Sequence, residues 1–166
     1  DVHPCGAVVK RHLGERGARN LLLLQGDGSS IPLRDGTVDC AYSFIVLQHL
    51  AHLSLLTAYF RETFRVLRPG GVALLYFGRY FWHSLNRTAR WRLWWDFLEE
   101  RFRLPGGYQE SEPAVGRINL RLTRAFARRL ALHEGFRVLR SLVSRRKVPD
   151  GLSCYGMQHG LLLQKP

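Results

Sequence analysis

Short apolar runs that end in turn residues alternate along this chain with stretches whose apolar positions recur every three or four residues. That alternation limits the fold more than any other feature. Residues 21–24 are consecutive leucines that run into Gln25-Gly26-Asp27-Gly28, the pattern of a strand buried on both faces as it reaches a loop. A connection with the turn residues Pro32 and Asp35-Gly36 follows, and residues 38–45 return as a second buried strand. From about residue 50 to residue 67, Leu53, Leu56, Phe60, Phe64 and Leu67 line one face of an amphipathic helix. Pro69-Gly70-Gly71 ends it abruptly before a third buried strand over 72–77. This order predicts βαβ units, an α/β fold and a mainly parallel sheet. Right-handed crossovers would then gather the C-terminal strand ends on one ligand-binding edge.

The flanks fill out that plan. Cys5, Val8, Val9 and Leu13 have helical spacing, with Gly14 and Gly17 as stops. After Gly78 the composition turns to Trp, Arg, Gly and Pro. Trp91, Trp94, Trp95, Leu98 and Phe102 share one helical face, with Arg92, Asp96, Glu99 and Arg103 largely off it. We read residues 79–121 as a lid or substrate-recognition insertion whose aromatic face packs on the domain; a membrane-surface or partner-binding helix is the other reading. Residues 123–133 form a further helix with Phe126, Leu130 and Leu132 available to the core and Gly135 as cap. Residues 136–144 and 155–163 read as an antiparallel strand pair joined through Pro149-Asp150-Gly151.

A length of 166 residues suits a single domain, and 46% hydrophobic with 11% aromatic residues is too apolar for a disordered chain. No unbroken apolar run reaches membrane-spanning length, and no signal-peptide pattern precedes the first helix, so a soluble, cytoplasmic protein is expected. The 3 cysteines, Cys5, Cys40 and Cys154, lack metal-ligand spacing; they read as reduced and structural, with Cys40 as a small buried thiol. The net charge of +12 is almost all arginine, concentrated near 87–103, 117–129 and 137–146. Such a surface can gather phosphates, but its scatter ranks a nucleic-acid partner behind a small molecule.

Three stretches, in this order and spacing, carry a family resemblance. The first is Gln25-Gly26-Asp27-Gly28 with Ile31-Pro32-Leu33 and Asp35-Gly36-Thr37-Val38-Asp39 behind it. The second is the SFIVLQH run from Ser43 to His49, and the third the RVLRPGG run from Arg65 to Gly71. Together they resemble the class I S-adenosylmethionine-dependent methyltransferases from the end of that family's second strand onward. The resemblance implies a Rossmann-like, mostly parallel sheet with helices on both faces and a C-terminal antiparallel pair, lacking the first strand or strands. It also implies that the numbering starts inside a longer gene product. No glycine-rich loop stands between a first strand and a helix, so this stretch alone is expected to bind cofactor poorly.

The implied cofactor is S-adenosylmethionine and the implied activity methyl transfer. By resemblance, Asp1 stands where a carboxylate accepts bonds from the ribose hydroxyls, and Asp27 lies beside the adenine, with Gly28 letting backbone approach. Ser43, Phe44, Leu47 and Gln48 would pass beneath the sulfonium and ribose. His49 could act as a general base, and reads equally as a pocket-wall residue. The RVLRPGG run reads as purely mechanical. Tyr80, Phe81, Trp82, His83, Trp94 and Trp95 are candidates for an acceptor pocket, with Arg87 or Arg90 for an anionic group. No metal site is expected. A second reading is an inactive methyltransferase-like module that binds RNA or a protein through its arginines; a nicotinamide-dependent oxidoreductase fits the three stretches poorly.

Overall fold

The computed structural model describes residues 6–17, 20, 22–80, 90–114, 117–147 and 153–166. Helix α1 spans Gly6–Glu15, and strand β1 spans Val38–Ser43. A 3-10 turn at Leu47–His49 leads to α2 (Leu53–Val66) and β2 (Leu67–Gly78). There follow α3 (Arg90–Arg103), β3 (Tyr108–Glu110), β4 (Leu120–Leu122), α4 (Arg124–His133), β5 (Arg137–Lys147) and β6 (Ser153–Gln164). The described strands form one sheet in the order β3-β4-β2-β6-β5, with β1 also paired to β2. Pairing is parallel for β1 with β2 and for β2 with β4, and antiparallel for the β2–β6, β5–β6 and β3–β4 pairs. The closing antiparallel pair is therefore as expected, and β2 is the strand around which the sheet is organised.

Strand alternation places Ala73, Leu75 and Phe77 of β2 on the same face as Leu161 and Leu163 of β6. On that face they meet Leu56 and Phe60 of α2 and Ala127 and Ala131 of α4 in one buried cluster. Phe136 joins the two helices to it, its ring edge-on to both Phe60 and Phe64. The opposite face carries a half-open aromatic group in which Phe44 meets Tyr76 edge-on at 5.1 Å. Gly160 is required there, because a Cβ on it would stand 2.7 Å from the Tyr76 ring.

Helix α2 passes straight into β2. Leu67 is fully buried and already paired with Val38, whereas Cys40 pairs with Val72, so Pro69-Gly70-Gly71 forms a bulge inside the strand instead of the expected break before it. Gly70 adopts φ 80°, and the bulge is pinned from the chain's far end by Gly70 N–H to the Lys165 carbonyl (2.8 Å) and Lys165 N–H to the Gly71 carbonyl (3.0 Å).

Four expectations are corrected. Residues 22–24 form no strand, and Leu22 is 75% exposed. A strand needs a partner for its backbone groups, and among the described strands none lies beyond β1. For the same reason β1 is not buried on both faces: Tyr42 is exposed, and Cys40 is an exposed free thiol rather than a buried one. Leu132 of α4 also faces outward. Finally, α3 is turned over relative to its apolar periodicity. Trp91, Trp94, Trp95 and Phe102 are exposed, the last by 81%, while Asp96 and Glu100 are buried.

Candidate active site at the C-terminal edge of β1 and β2

The loop from Asp27 to Thr37 is shaped by polar bonds rather than packing. Asp27 Oδ1 accepts from Ser29 N–H (2.9 Å), Ser30 N–H (2.8 Å) and Ser30 Oγ (3.0 Å). These bonds, the backbone ones foremost, hold the carboxyl well below the usual carboxylate range. All three converge on Oδ1 of an exposed side chain, beside Gly28, whose φ of 86° turns the chain there. Further along, Arg65 of α2 ties the loop down, donating to the carbonyls of Leu33 and Ile31 (2.8 Å each) and to Asp35 Oδ1 (2.6 Å). Glu62 supports it, accepting from Ile31 N–H and from two Arg65 nitrogens, and these bonds pull its carboxyl down to about 2. The RVLRPGG run thus does more than turn the chain: its Arg65 fixes the loop that carries Asp27.

Beyond β1, residues 43–49 fold back over the sheet edge. Ile45 has φ 65°, a region a β-branched residue avoids and one that costs of order 1–3 kcal/mol unless the surroundings impose it. Phe44 and Val46 beside it are exposed, whereas Leu47 packs into the core and Gln48 is buried. A directed chain of bonds anchors the turn. Gln158 Nε2 donates to Gln48 Oε1 (3.1 Å), and Gln48 Nε2 lies 3.1 Å from His49 Nε2. His49 Nδ1 is 2.6 Å from the Arg117 carbonyl, which can only accept, so Nδ1 carries the proton and Nε2 accepts from Gln48. Both imidazole nitrogens are engaged, the arrangement of a wall residue.

Asn119, buried just before β4, completes the anchor. Its N–H donates to the Gln48 carbonyl and its Nδ2 to the His49 carbonyl, both at 2.9 Å, and its Oδ1 accepts from Ala114 N–H. The N-terminus of α2 is capped from outside, by Glu110 of β3 accepting from Leu53 N–H at 2.7 Å, which lowers the Glu110 carboxyl's affinity for a proton.

Under α3 lies a buried ionic group that explains the helix's orientation. Arg79 Nε donates to the Gly156 carbonyl (2.9 Å) and Nη2 to Asp96 Oδ2 (3.2 Å). His159, between the rings of Phe97 and Phe77, places Nε2 2.8 Å from Glu100 Oε1. A cation that β2 delivers into the interior must meet a carboxylate there, so the acidic side of α3 turns inward and its tryptophans outward. Burial pushes the His159 imidazole's pKa below its ordinary 6.5, against the pull of Glu100 and with the push of Arg79 and Arg124. As pH falls through about 6.5, the unfolded chain takes up a proton that the folded chain refuses, so stability declines by at most about 1.4 kcal/mol per pH unit. Thermal melts through this window should show the decline in the parent and its loss in His159→Gln; parallel curves would contradict it.

The remaining sequence candidates are spread around this edge. Tyr80 is half-buried and accepts from Arg103 Nη1 at 3.3 Å. Trp94 and Trp95 are exposed and edge-on at 5.5 Å, and Trp94 lines a cavity of 380 Å³ between α3 and α4. Asp1, Phe81, Trp82, His83 and Arg87 lie outside the described residues. The hydrogen bonds of Asp27 lead to its own turn and those of residues 48–49 to β4 and β6, so the two parts of the site are fixed independently. Sequence reasoning missed Arg65, Asn119 and the Arg79–Asp96 and His159–Glu100 pairs. A buried carboxylate on an otherwise aromatic helix could have been suspected only by asking what would neutralise Arg79.

Comparison with known proteins agrees with this architecture. Residues 3–75 match the family described as a methyltransferase domain. An uncharacterized 37.1 kDa protein from a Streptomyces fradiae transposon is 47% identical over 61 residues, 37% of this chain. A tRNA (carboxymethyluridine(34)-5-O)-methyltransferase of Macaca fascicularis is 40% identical over 50 residues, 30% of this chain. The matched stretches span only 16% and 8% of those two proteins. Among solved structures, a putative sarcosine dimethylglycine methyltransferase from Galdieria sulphuraria aligns with a TM-score of 0.61 at 16% identity, over 99% of this chain and 68% of its own. The 1,6-didemethyltoxoflavin-N1-methyltransferase of Burkholderia thailandensis, solved with its substrate and S-adenosylhomocysteine, aligns with a TM-score of 0.58 at 16% identity, over 98% and 56%. Among the described residues no helix is long and apolar enough to cross a membrane. Residues 3–75 thus match the methyltransferase domain family, and the chain shares the Rossmann-like fold of solved S-adenosylmethionine-dependent methyltransferases.

Proposed function

We propose that the protein carrying this chain transfers a methyl group from S-adenosylmethionine to an acceptor, with Asp27, Gly28 and residues 43–49 as the described part of the cofactor site. The observation that carries this reading is the half-committed carboxylate of Asp27. Its Oδ1 takes three bonds from the turn, none of which engages Oδ2, and the side chain is exposed at a loop end where Gly28 offers no side chain to block approach. That is the acceptor an adenine amine requires, fixed in place beside open backbone. Asp1, by resemblance, would bind the ribose diol. The cofactor supplies a methyl group already activated by its sulfonium, so the protein's work is alignment and exclusion of water. Ser43 and Phe44 line the approach, the strained Ile45 holds the turn, and Leu47 and Gln48 anchor it from beneath. His49, with its lone pair taken by Gln48, serves as a wall that keeps the turn in place and is not assigned a proton transfer.

Acceptor choice falls to the segment after β2. A small molecule held by Tyr80, Trp82, His83, Trp94 and Trp95 with Arg87 remains the favoured class, in the manner of the Burkholderia neighbour and its 1,6-didemethyltoxoflavin. Asp27→Asn provides the test, because the amide oxygen still accepts from Ser29 and Ser30 while an NH2 replaces the other oxygen. In the protein at its natural length, calorimetric titration should give about tenfold weaker S-adenosylmethionine binding with an unchanged melting temperature. Equal affinity in the two proteins would remove Asp27 from the site and the reading with it.

A further inference from the structure

We infer that the arginine-lined groove along α4 is a docking track for single-stranded RNA. This goes beyond the methyl-transfer reading and needs neither cofactor nor acceptor. Two cavities, of 380 and 680 Å³, lie on either side of the first turns of α4 and share Arg124, Ala125 and Arg129 as walls. Arg101 lines the first; Arg128 and Arg140 line the second. All five arginines are exposed, and none is in a salt bridge among the described residues. The carboxylate on the same walls, Glu100, is buried and turned to His159. By contrast the arginines of α2 and its end are paired, Arg61 with Glu134, Arg65 with Glu62 and Asp35, and Arg68 with Asp39, while Arg11, Arg16 and Arg34 are in no salt bridge among the described residues but line neither cavity. What sets the groove apart from the overall +12 is that five such arginines gather on the walls of two adjoining cavities.

The geometry of the arginines suits a chain of phosphates better than one. Arg124 lies 4.1 Å over the Phe97 ring and Arg128 donates to Ser141 Oγ at 3.2 Å, so both guanidiniums are held in place with donors to spare. Because the two cavities adjoin through a shared wall, the cations continue from α3 across α4 to β5, the path of an extended polyanion. At one end of that path Trp94 stands exposed on the cavity rim, an aromatic face of the kind on which an unpaired base stacks. A duplex keeps its base faces covered, and a lipid headgroup has no ring to stack. Unpaired RNA offers phosphates and open bases together.

The test is fluorescence anisotropy of the full chain with a labelled uridine dodecamer. Binding should weaken with salt, with a logarithmic slope of about −2 to −3, as expected when three or four phosphates are neutralised on a single strand. Arg124→Gln/Arg128→Gln/Arg129→Gln should raise Kd at least about tenfold and flatten that slope. Arg11→Gln/Arg16→Gln/Arg34→Gln removes the same charge outside the groove and should leave Kd within about twofold. If the triple groove variant does not fold, Arg128→Gln/Arg140→Gln, which leaves the Arg124–Phe97 contact in place, should still weaken binding severalfold. Equal losses in groove and control variants would reduce the effect to net charge and overturn the inference. So would tighter binding of the thymidine deoxy-dodecamer, or displacement of the RNA by phosphatidylserine vesicles at equal phosphate, which would make the groove a DNA or membrane surface. None of these results bears on Asp27, so the methyl-transfer reading stands or falls separately.

Discussion

Asp96→Ala should lower the stability of the fold by about 3–5 kcal/mol, the cost of breaking a buried ion pair from one side. Arg79 is 0% exposed and its partner 4%. A guanidinium cannot shed its proton to escape burial, so removing the carboxylate takes away the Asp96 charge that faces it while the Gly156 carbonyl, a neutral acceptor, stays in place. Replacing both partners, as Arg79→Met/Asp96→Leu, should recover most of the loss, because apolar groups of similar volume fill the space without a desolvation cost. Urea unfolding of the three proteins measures this directly. A loss below about 1 kcal/mol in Asp96→Ala would mean that the pair is solvated and does not hold α3 to β2 and β6.

Gly78→Ala should be the most damaging minimal substitution near the site, at about 1–3 kcal/mol. Gly78 ends β2 where it bridges to β4 and where the turn of residues 47–49 crosses over it. A Cβ there would stand 2.5 Å from the Leu120 carbonyl oxygen, 2.7 Å from Ile118 Cγ2 and 3.3 Å from Gln48 Cβ. The nearest of these is backbone held in a strand, so it cannot swing aside as a flexible side chain would. Relief must come from moving β4 or the Gln48–His49 turn, and both are tied to Asn119. Methyl transfer should therefore fall along with stability. Gly106→Ala, where an added Cβ meets nothing within 4 Å, is the control and should change neither. Matching melting temperatures for the two variants would show that the close approach at Gly78 is readily relaxed.

The arrangement of α3 links these results to the RNA track. Because Asp96 and Glu100 are drawn inward by Arg79 and His159, the tryptophans of the same helix are driven outward. Trp94 thereby comes to stand beside the arginines of α4. A polar requirement in the interior thus creates an aromatic and cationic surface outside.

Local pattern was sufficient for most of the element plan. The three-and-four periodicity of Leu53, Leu56 and Phe60 gave a helix because one face must be apolar for burial, and Thr123 and Gly135 marked the ends of α4 through chemistry confined to a few residues. The turn at Asp27 belongs to the same class, since its bonds reach no further than Ser30. Failures arose where the outcome depended on a distant partner. The leucines at 22–24 have ideal strand composition, yet a strand exists only when another strand receives its backbone bonds. Cys40 and Tyr42 were expected to be buried, and burial requires a neighbour on the far side of β1. The apolar stripe of α3 points one way, but the Arg79 charge just past β2 and the buried His159 imidazole of β6 outweigh it, because leaving such groups unmatched costs more than exposing indole rings. The amino-acid order therefore determined what each segment could become. The tertiary structure decided which face of each segment was hidden, because burial and ion pairing are properties of partners that the order alone does not bring together.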